Sequence, residues 1–233
     1  MEDTAIRLTD VRYRWPNSPR TIIDIPHFEI ERGERVFVRG PSGSGKTTLL
    51  NLLGGVAVPE VGTVSVLDTD MASLGGAKRD AFRADHIGFI FQMFNLVPYL
   101  SLVENVVLPC RFSPLRRQRL AERGAGLEDE ARRLLEHMEL APDAHDGRGV
   151  AELSVGQQQR VAVARALIGA PDIVIADEPT SALDVDARRL FLDLLFREVK
   201  GARATLLFVS HDTGLARAFD RSLALADINR VAP

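Results

Sequence analysis

The sequence predicts an α/β fold: a phosphate-loop NTPase core with an antiparallel β subdomain and an inserted helical subdomain. Three observations point to it. Between Gly40 and Thr47 the chain reads Gly-Pro-Ser-Gly-Ser-Gly-Lys-Thr, the spacing of a loop that cradles phosphate. A buried-strand run from Glu34 to Arg39 precedes this loop, and a helical run from Thr48 to Leu53 follows it. Further along, β-rich apolar runs return after a long charged, helix-rich stretch.

In chain order, residues 4–38 read as short strands joined by turns. Thr21–Ile25 and His27–Ile30 have the texture of sheet edges, with a turn at Gly33-Glu34. Gly62–Leu67 reads as a strand, and Ile87–Phe91 as a short buried one. From about Asn95 to Gly169 the texture is helical, and Leu127–Leu140 carries apolar residues at helical spacing. Asp172–Ala176 and Ala204–Val209 are β-rich again. The expected division is a single domain over 1–233. A nucleotide-binding core with its β subdomain occupies 1–94 and 169–233, and a helical subdomain occupies 95–168.

Bulk properties narrow the class. The 233 residues are 45% hydrophobic, enough for a proper core. The net charge of −3 gives no reason to expect nucleic-acid binding. A single cysteine, Cys110, excludes an internal disulfide and suits a reducing compartment. The start, Met1-Glu2-Asp3-Thr4, is polar with no apolar h-region after it, so no signal peptide is expected. No apolar run approaches the roughly 18–20 residues of a membrane helix.

The chemistry resides in the loop and in a second motif. Gly40, Pro41, Ser42, Gly43, Ser44 and Gly45 let backbone N–H groups turn toward an anion at a helix N-terminus. Lys46 reaches the β- and γ-phosphates, the Thr47 hydroxyl ligates Mg²⁺, and Thr48 stands beside them on the first helical turn. Downstream, Ile173-Val174-Ile175-Ala176 ends in two carboxylates. Asp177 fits the strand-end aspartate that holds Mg²⁺, and Glu178 the carboxylate that orients and deprotonates an attacking water. The plainer readings are a Gly/Ser turn and a solvated acidic strand end. The histidines at 27, 86, 137 and 145 lack ligand spacing, so no zinc site is expected.

Five further pieces stand in a definite order: Trp15, Gln92, Leu153–Arg160, Ser181–Asp184 and His211. With these the chain, from about Ile6 to Arg230, resembles the ATPase subunit of an ATP-binding-cassette (ABC) transporter. Arg83–Gln92, Asn95-Leu96 and Ala176–Thr180 resemble the branch of lipoprotein-releasing, macrolide-exporting and heterocyst-glycolipid-exporting ATPases. The resemblance implies that Trp15 stacks on adenine, with Tyr13 as a substitute platform. It implies that Gln92 touches Mg²⁺ and the attacking water, and that His211 hydrogen-bonds the γ-phosphate. Ser154, Gly156 and Gln157 belong to a signature whose helix N-terminus faces the ATP held by a second copy. Asp184 then bridges the two subunits. Val155 stands where the family has glycine.

A homodimer enclosing two Mg·ATP therefore follows from the resemblance, as does a membrane permease partner. The apolar run Met93–Leu100 would line the groove for a permease helix; packing within the helical subdomain is the plainer reading. The arginines at 111, 116, 117, 119 and 123 read first as a solvated helix face and second as a contact for anionic lipid. The implied place is cytoplasmic, peripheral on the inner face of the cell membrane. The implied work is export or extraction of a lipid, lipoprotein or other hydrophobic substrate. The rival readings are an ATPase that controls a periplasmic process through a permease-like partner, and a soluble non-transport ABC ATPase.

Overall fold

The computed structural model describes residues 4–140 and 149–231; Met1–Asp3 and His145, named above, lie outside them. In chain order the elements begin with β1 (Thr4–Arg14), β2 (Thr21–Glu31), β3 (Arg35–Arg39), α1 (Lys46–Leu53), β4 (Val61–Val66) and β5 (Thr69–Asp70). Then come α2 (Gly76–His86), β6 (Ile87–Ile90), α3 (Leu102–Phe112), α4 (Pro114–Glu122), α5 (Leu127–His137) and α6 (Val155–Leu167). The chain closes with β7 (Ile173–Asp177), α7 (Val185–Ala202), β8 (Thr205–Ser210), β9 (Arg221–Ala224) and α8 (Leu225–Ile228). This is the expected α/β architecture, with both antiparallel and parallel sheet. The residues cluster into two compact units, one running to Arg83 and resuming at Thr205, the other spanning Ala84–Ala204.

In the first unit, β2, β1, β4 and β5 form an antiparallel sheet in that order. Leu8 pairs with Phe28 on one side and Val64 on the other, and all three are buried. The two edge runs expected around Pro26 form one strand. β2 is an outer strand, and there a proline interrupts no interior ladder. Strand β3 lies parallel to β8 and to β9. Every residue of β8 is buried, as a strand covered on both faces requires. Phe37, Phe208 and Phe219 pack as an aromatic cluster with ring centroids 5.1–6.0 Å apart.

In the second unit, β6 lies parallel to β7, and α3, α5 and α7 pack against α6. Helix α5 buries Ala131, Leu134 and Leu135 on one stripe. It stops at His137, short of the expected Leu140, because Glu139 turns into the left-handed region (φ 58°).

Within the arginine run, Arg111, Arg117 and Arg123 are exposed, as a solvated face requires, but Arg116 and Arg119 depart from that reading. Arg116 is 1% exposed and donates to four backbone carbonyls, so it is no part of a solvated face. Arg119 bonds the Ala170 carbonyl and Asp172, and Arg117 the Cys110 carbonyl. Burial penalises the Asp172 carboxylate, but hydrogen bonds from His86 and Arg119 outweigh it and hold its pKa below the ordinary value. Periodicity cannot tell an arginine facing water from one facing carbonyls.

Candidate functional site

The phosphate loop belongs to the first unit. Gly43 (φ 76°) and Gly45 (φ 99°) take the left-handed backbone that turns successive N–H groups to one side. Gly45 caps α1 with no side-chain hydrogen bond, and no acidic residue sits in the first turn. The positive end of the helix is therefore unopposed by a carboxylate of its own. A Cβ on Gly40 would lie 2.6 Å from Ser44 Oγ, so a larger residue there would have to displace that hydroxyl. Ser44 Oγ is itself buried without a hydrogen-bond partner among the described residues. Lys46, 8% exposed, donates from Nζ to the carbonyls of Gly40 (2.7 Å) and Pro41 (3.0 Å). These features fit a phosphate group: a left-handed cradle, an orphan hydroxyl and a cation held across the loop. Gly45→Ala is expected to destabilise the protein by about 1–2 kcal/mol, the cost of a left-handed Cβ. Its methyl would also press at 3.3 Å on the side chains of Ile22 and Ile23. Thermal unfolding measures the loss.

Parallel pairing fixes what stands beside the loop. Arg39 is in register with Ser210, so Gly40 and His211 follow at neighbouring strand ends. Ligands of open α/β sheets bind outside those carboxyl ends. Trp15 lies just beyond β1, 41% exposed, with the buried Tyr13 ring edge-on at 5.2 Å. Exposure leaves Trp15 available as a platform; burial removes Tyr13 from that role. A shallow cleft open to solvent adjoins the loop and is lined by Arg20, Ile22, Arg39, Pro41, Ser44 and Leu225 among others.

The remaining expected residues belong to the second unit. Ile90 pairs with Ala176, which brings Gln92, Asp177 and Glu178 to adjacent strand ends. Glu178 is 8% exposed and left-handed (φ 48°), a backbone state that costs a non-glycine residue roughly 1–2 kcal/mol. Gln92 is exposed, and Phe94 and Asn95 after it are both left-handed. None of the eight residues Met93–Leu100 is buried, and Met93 and Tyr99 are 80% and 86% exposed, which overturns their reading as core packing.

Ser154 caps α6 in a reciprocal capping box with Gln157. Val155 opens the helix, 46% exposed and outside the left-handed set, so its branched side chain meets no backbone strain there. A Cβ on Gly156 would make only ordinary contact with Leu183, at 3.6 Å. Asp184 caps α7, accepting from the Ala187 N–H at 2.8 Å. The expected residues are thus gathered in two sets: Trp15, Gly40–Thr48 and His211 in the first unit, and Gln92, Ser154, Gly156, Gln157, Asp177, Glu178 and Asp184 in the second. Thr47, Asp177 and Gln92 offer oxygen donors, the ligand type Mg²⁺ prefers.

Two residues of α6 have roles the sequence did not signal. Arg165, 7% exposed, donates to the carbonyls of Asn95 (2.6 Å) and Phe94, and burial lowers its pKa. Gln159 is fully buried, and neither polar atom of its side chain has a partner among the described residues. An unpaired buried amide costs about 1–3 kcal/mol, so Gln159→Met, similar in volume, is expected to raise stability by about 1–2 kcal/mol. Urea unfolding tests this; an unchanged or lower midpoint would contradict it.

A family model described as ABC transporter matches residues 23–181. A lipoprotein-releasing system ATP-binding protein, LolD, of Hydrogenovibrio crunogenus is 39% identical over 235 residues, covering 100% of this chain and 98% of that protein. A macrolide export ATP-binding/permease protein, MacB, of Chromobacterium violaceum is 36% identical over 97% of this chain, which spans only 34% of that longer protein. Among solved structures, an ATP-binding cassette captured as a dimer in a post-hydrolysis state with ADP and Pi superposes with a TM-score of 0.80. It is 35% identical, and the match covers 94% of both chains.

Proposed function

This chain belongs to the ABC transporter family as an ATP-hydrolysing subunit of the LolD and MacB type, and from that premise we propose what it drives and how. Two copies close around two Mg·ATP and drive a membrane permease that exports or extracts a lipid, lipoprotein or other hydrophobic substrate. The subunit works from the cytoplasmic face of the inner membrane; among the described residues no helix is long and apolar enough to cross one. The observation carrying this reading is the ordered set of loop, strand-end carboxylates and serine-capped helix, in a chain that aligns end to end with a lipoprotein-releasing ATPase.

The division of labour follows from chemistry. Gly40–Gly45 and the N-terminus of α1 bind phosphate, and Lys46 supplies the cation. Trp15 stacks on the base. Thr47, Gln92 and Asp177 would hold Mg²⁺, which would supply neutralisation of charge on the phosphates. Glu178 takes the proton from the attacking water, and His211 donates a hydrogen bond to the γ-phosphate. Ser154, Gly156 and Gln157 face the nucleotide of the second copy, and Asp184 lies at the subunit boundary. In this scheme residues 1–94 and 169–233 form the nucleotide-binding core, and residues 95–168 the helical subdomain. The exposed Met93 and Tyr99 receive a helix of the permease.

The test is a pull-down from detergent-solubilised native membranes with tagged Glu178→Gln protein and Mg·ATP, read by mass spectrometry. A co-purifying polytopic membrane protein supports the transporter reading, and its identity narrows the cargo. Recovery of ribosomes or DNA-repair proteins alone overturns it in favour of a non-transport ATPase.

A further inference from the structure

Helix α6 bears Ser154 and Gly156 at one end, and strand β6 leads directly into Gln92. Both lie in the second unit, and the C-terminal end of α6 is tied to the β6 segment and its surroundings by two buried arginines. Toward the C-terminal end, Arg116 of α4 spreads its guanidinium over four carbonyls. Its Nε donates to Ala84 (2.8 Å), Nη2 to Ile87 (2.8 Å), and Nη1 to Ala166 (3.3 Å) and Ile168 (3.0 Å). Ala84 lies in the last turn of α2, Ile87 begins β6, and Ala166 and Ile168 flank the C-terminal end of α6 at Leu167. The packing leaves no slack: a Cβ on Gly169 would lie 2.5 Å from Arg116 Cβ, and one on Gly88 would lie 2.2 Å from the Ala166 carbonyl oxygen. Arg119 adds a bond to the Ala170 carbonyl at 2.6 Å. In the last turn of the helix, Arg165 holds the carbonyls of Phe94 and Asn95, two and three residues after Gln92.

We propose that Arg116 and Arg165 are positioning residues for ATP hydrolysis: together they lock the signature-bearing helix α6 to strand β6 and its Gln92 segment, so that both move as one body. This rests on the reading of Ser154, Gly156 and Gln92 given above. Only arginine suits the Arg116 position. A planar fork with five donors satisfies carbonyls from three elements at once, whereas a lysine ammonium is a point charge that cannot span them. Among the described residues the bonded acceptors of Arg116 are all carbonyls, with no carboxylate among them. The guanidinium sits on the negative end of α6, where a cation is favoured, and burial draws its pKa down to about 10.

The lever explains why a distant clasp matters. A helix of this length is about 20 Å long, so a tilt of roughly 3° at one end displaces the other by about 1 Å. A misplacement of about 1 Å can cost on the order of 100-fold in rate.

The experiment compares wild-type, Glu178→Gln, Arg116→Lys and Arg165→Lys proteins at a temperature well below their unfolding transitions. ATP affinity is measured by calorimetry in EDTA, folded fraction by circular dichroism, and kcat by phosphate release. Both lysine variants are expected to bind ATP within about 2-fold of wild type, because the phosphate loop is untouched, while kcat per folded molecule falls at least about 10-fold. Each arginine is tested separately, so a variant that does not fold leaves the other to decide. A kcat per folded molecule within 2-fold of wild type, or a loss that only follows the folded fraction, overturns the proposal. Wild-type turnover no faster than that of Glu178→Gln would instead overturn the underlying reading of the site.

Discussion

Glu178→Gln is expected to retain ATP and lose turnover by at least about 100-fold, the lower end of what a positioned general base contributes. The substitution is nearly isosteric and removes the one property the reaction needs, a carboxylate able to accept a proton from water. The residue is 8% exposed at the end of β7 and held in a left-handed backbone state. That conformation is unfavourable for glutamate and persists only where the surroundings impose it. With hydrolysis blocked and Mg·ATP present, the variant is expected to accumulate as a dimer in analytical ultracentrifugation. Normal phosphate release would remove Glu178 from its role. Slow release without dimer would separate the catalytic assignment from the ATP-sandwich assignment.

Lys46→Ala is expected to weaken ATP binding by about 10- to 100-fold, the equivalent of losing one charge-assisted hydrogen bond of about 1.5–3 kcal/mol. Two effects act together. The substitution removes a cation from an anion site, and it removes the donor that bonds the carbonyls of Gly40 and Pro41. Lys46→Arg is not expected to restore full affinity, since a rigid fork cannot reproduce the reach of a flexible ammonium. Calorimetry measures all three proteins; an unchanged Kd in Lys46→Ala would refute the assignment.

Most elements were legible because their signals are local. The apolar runs of β7 and β8 and the apolar stripe of α5 stand where they were read, because burial of apolar side chains dominates local preference. Pro26 did not break β2, because the strand is an outer one. Glu139 ended α5 early through a left-handed turn that apolar spacing does not report. The apolar segment Met93–Leu100 reads equally well as core or as surface, and only exposure separates the two. Arg116 was misread for the converse reason: it is buried by partners up to 52 residues away, from α2, β6 and the end of α6.

The sequence by itself determined the chemistry. A glycine-rich loop before a helix, a lysine, and an apolar strand ending in two carboxylates are short motifs whose function depends on backbone freedom and residue type, both of which are written locally. Tertiary structure alone decided how those motifs are held. It placed Glu178 in a left-handed turn, buried Gln159 with no side-chain partner among the described residues, and spread Arg116 over four carbonyls. The physical reason is that hydrogen-bond satisfaction and burial depend on groups far apart in the chain, and no periodicity encodes which of them will meet.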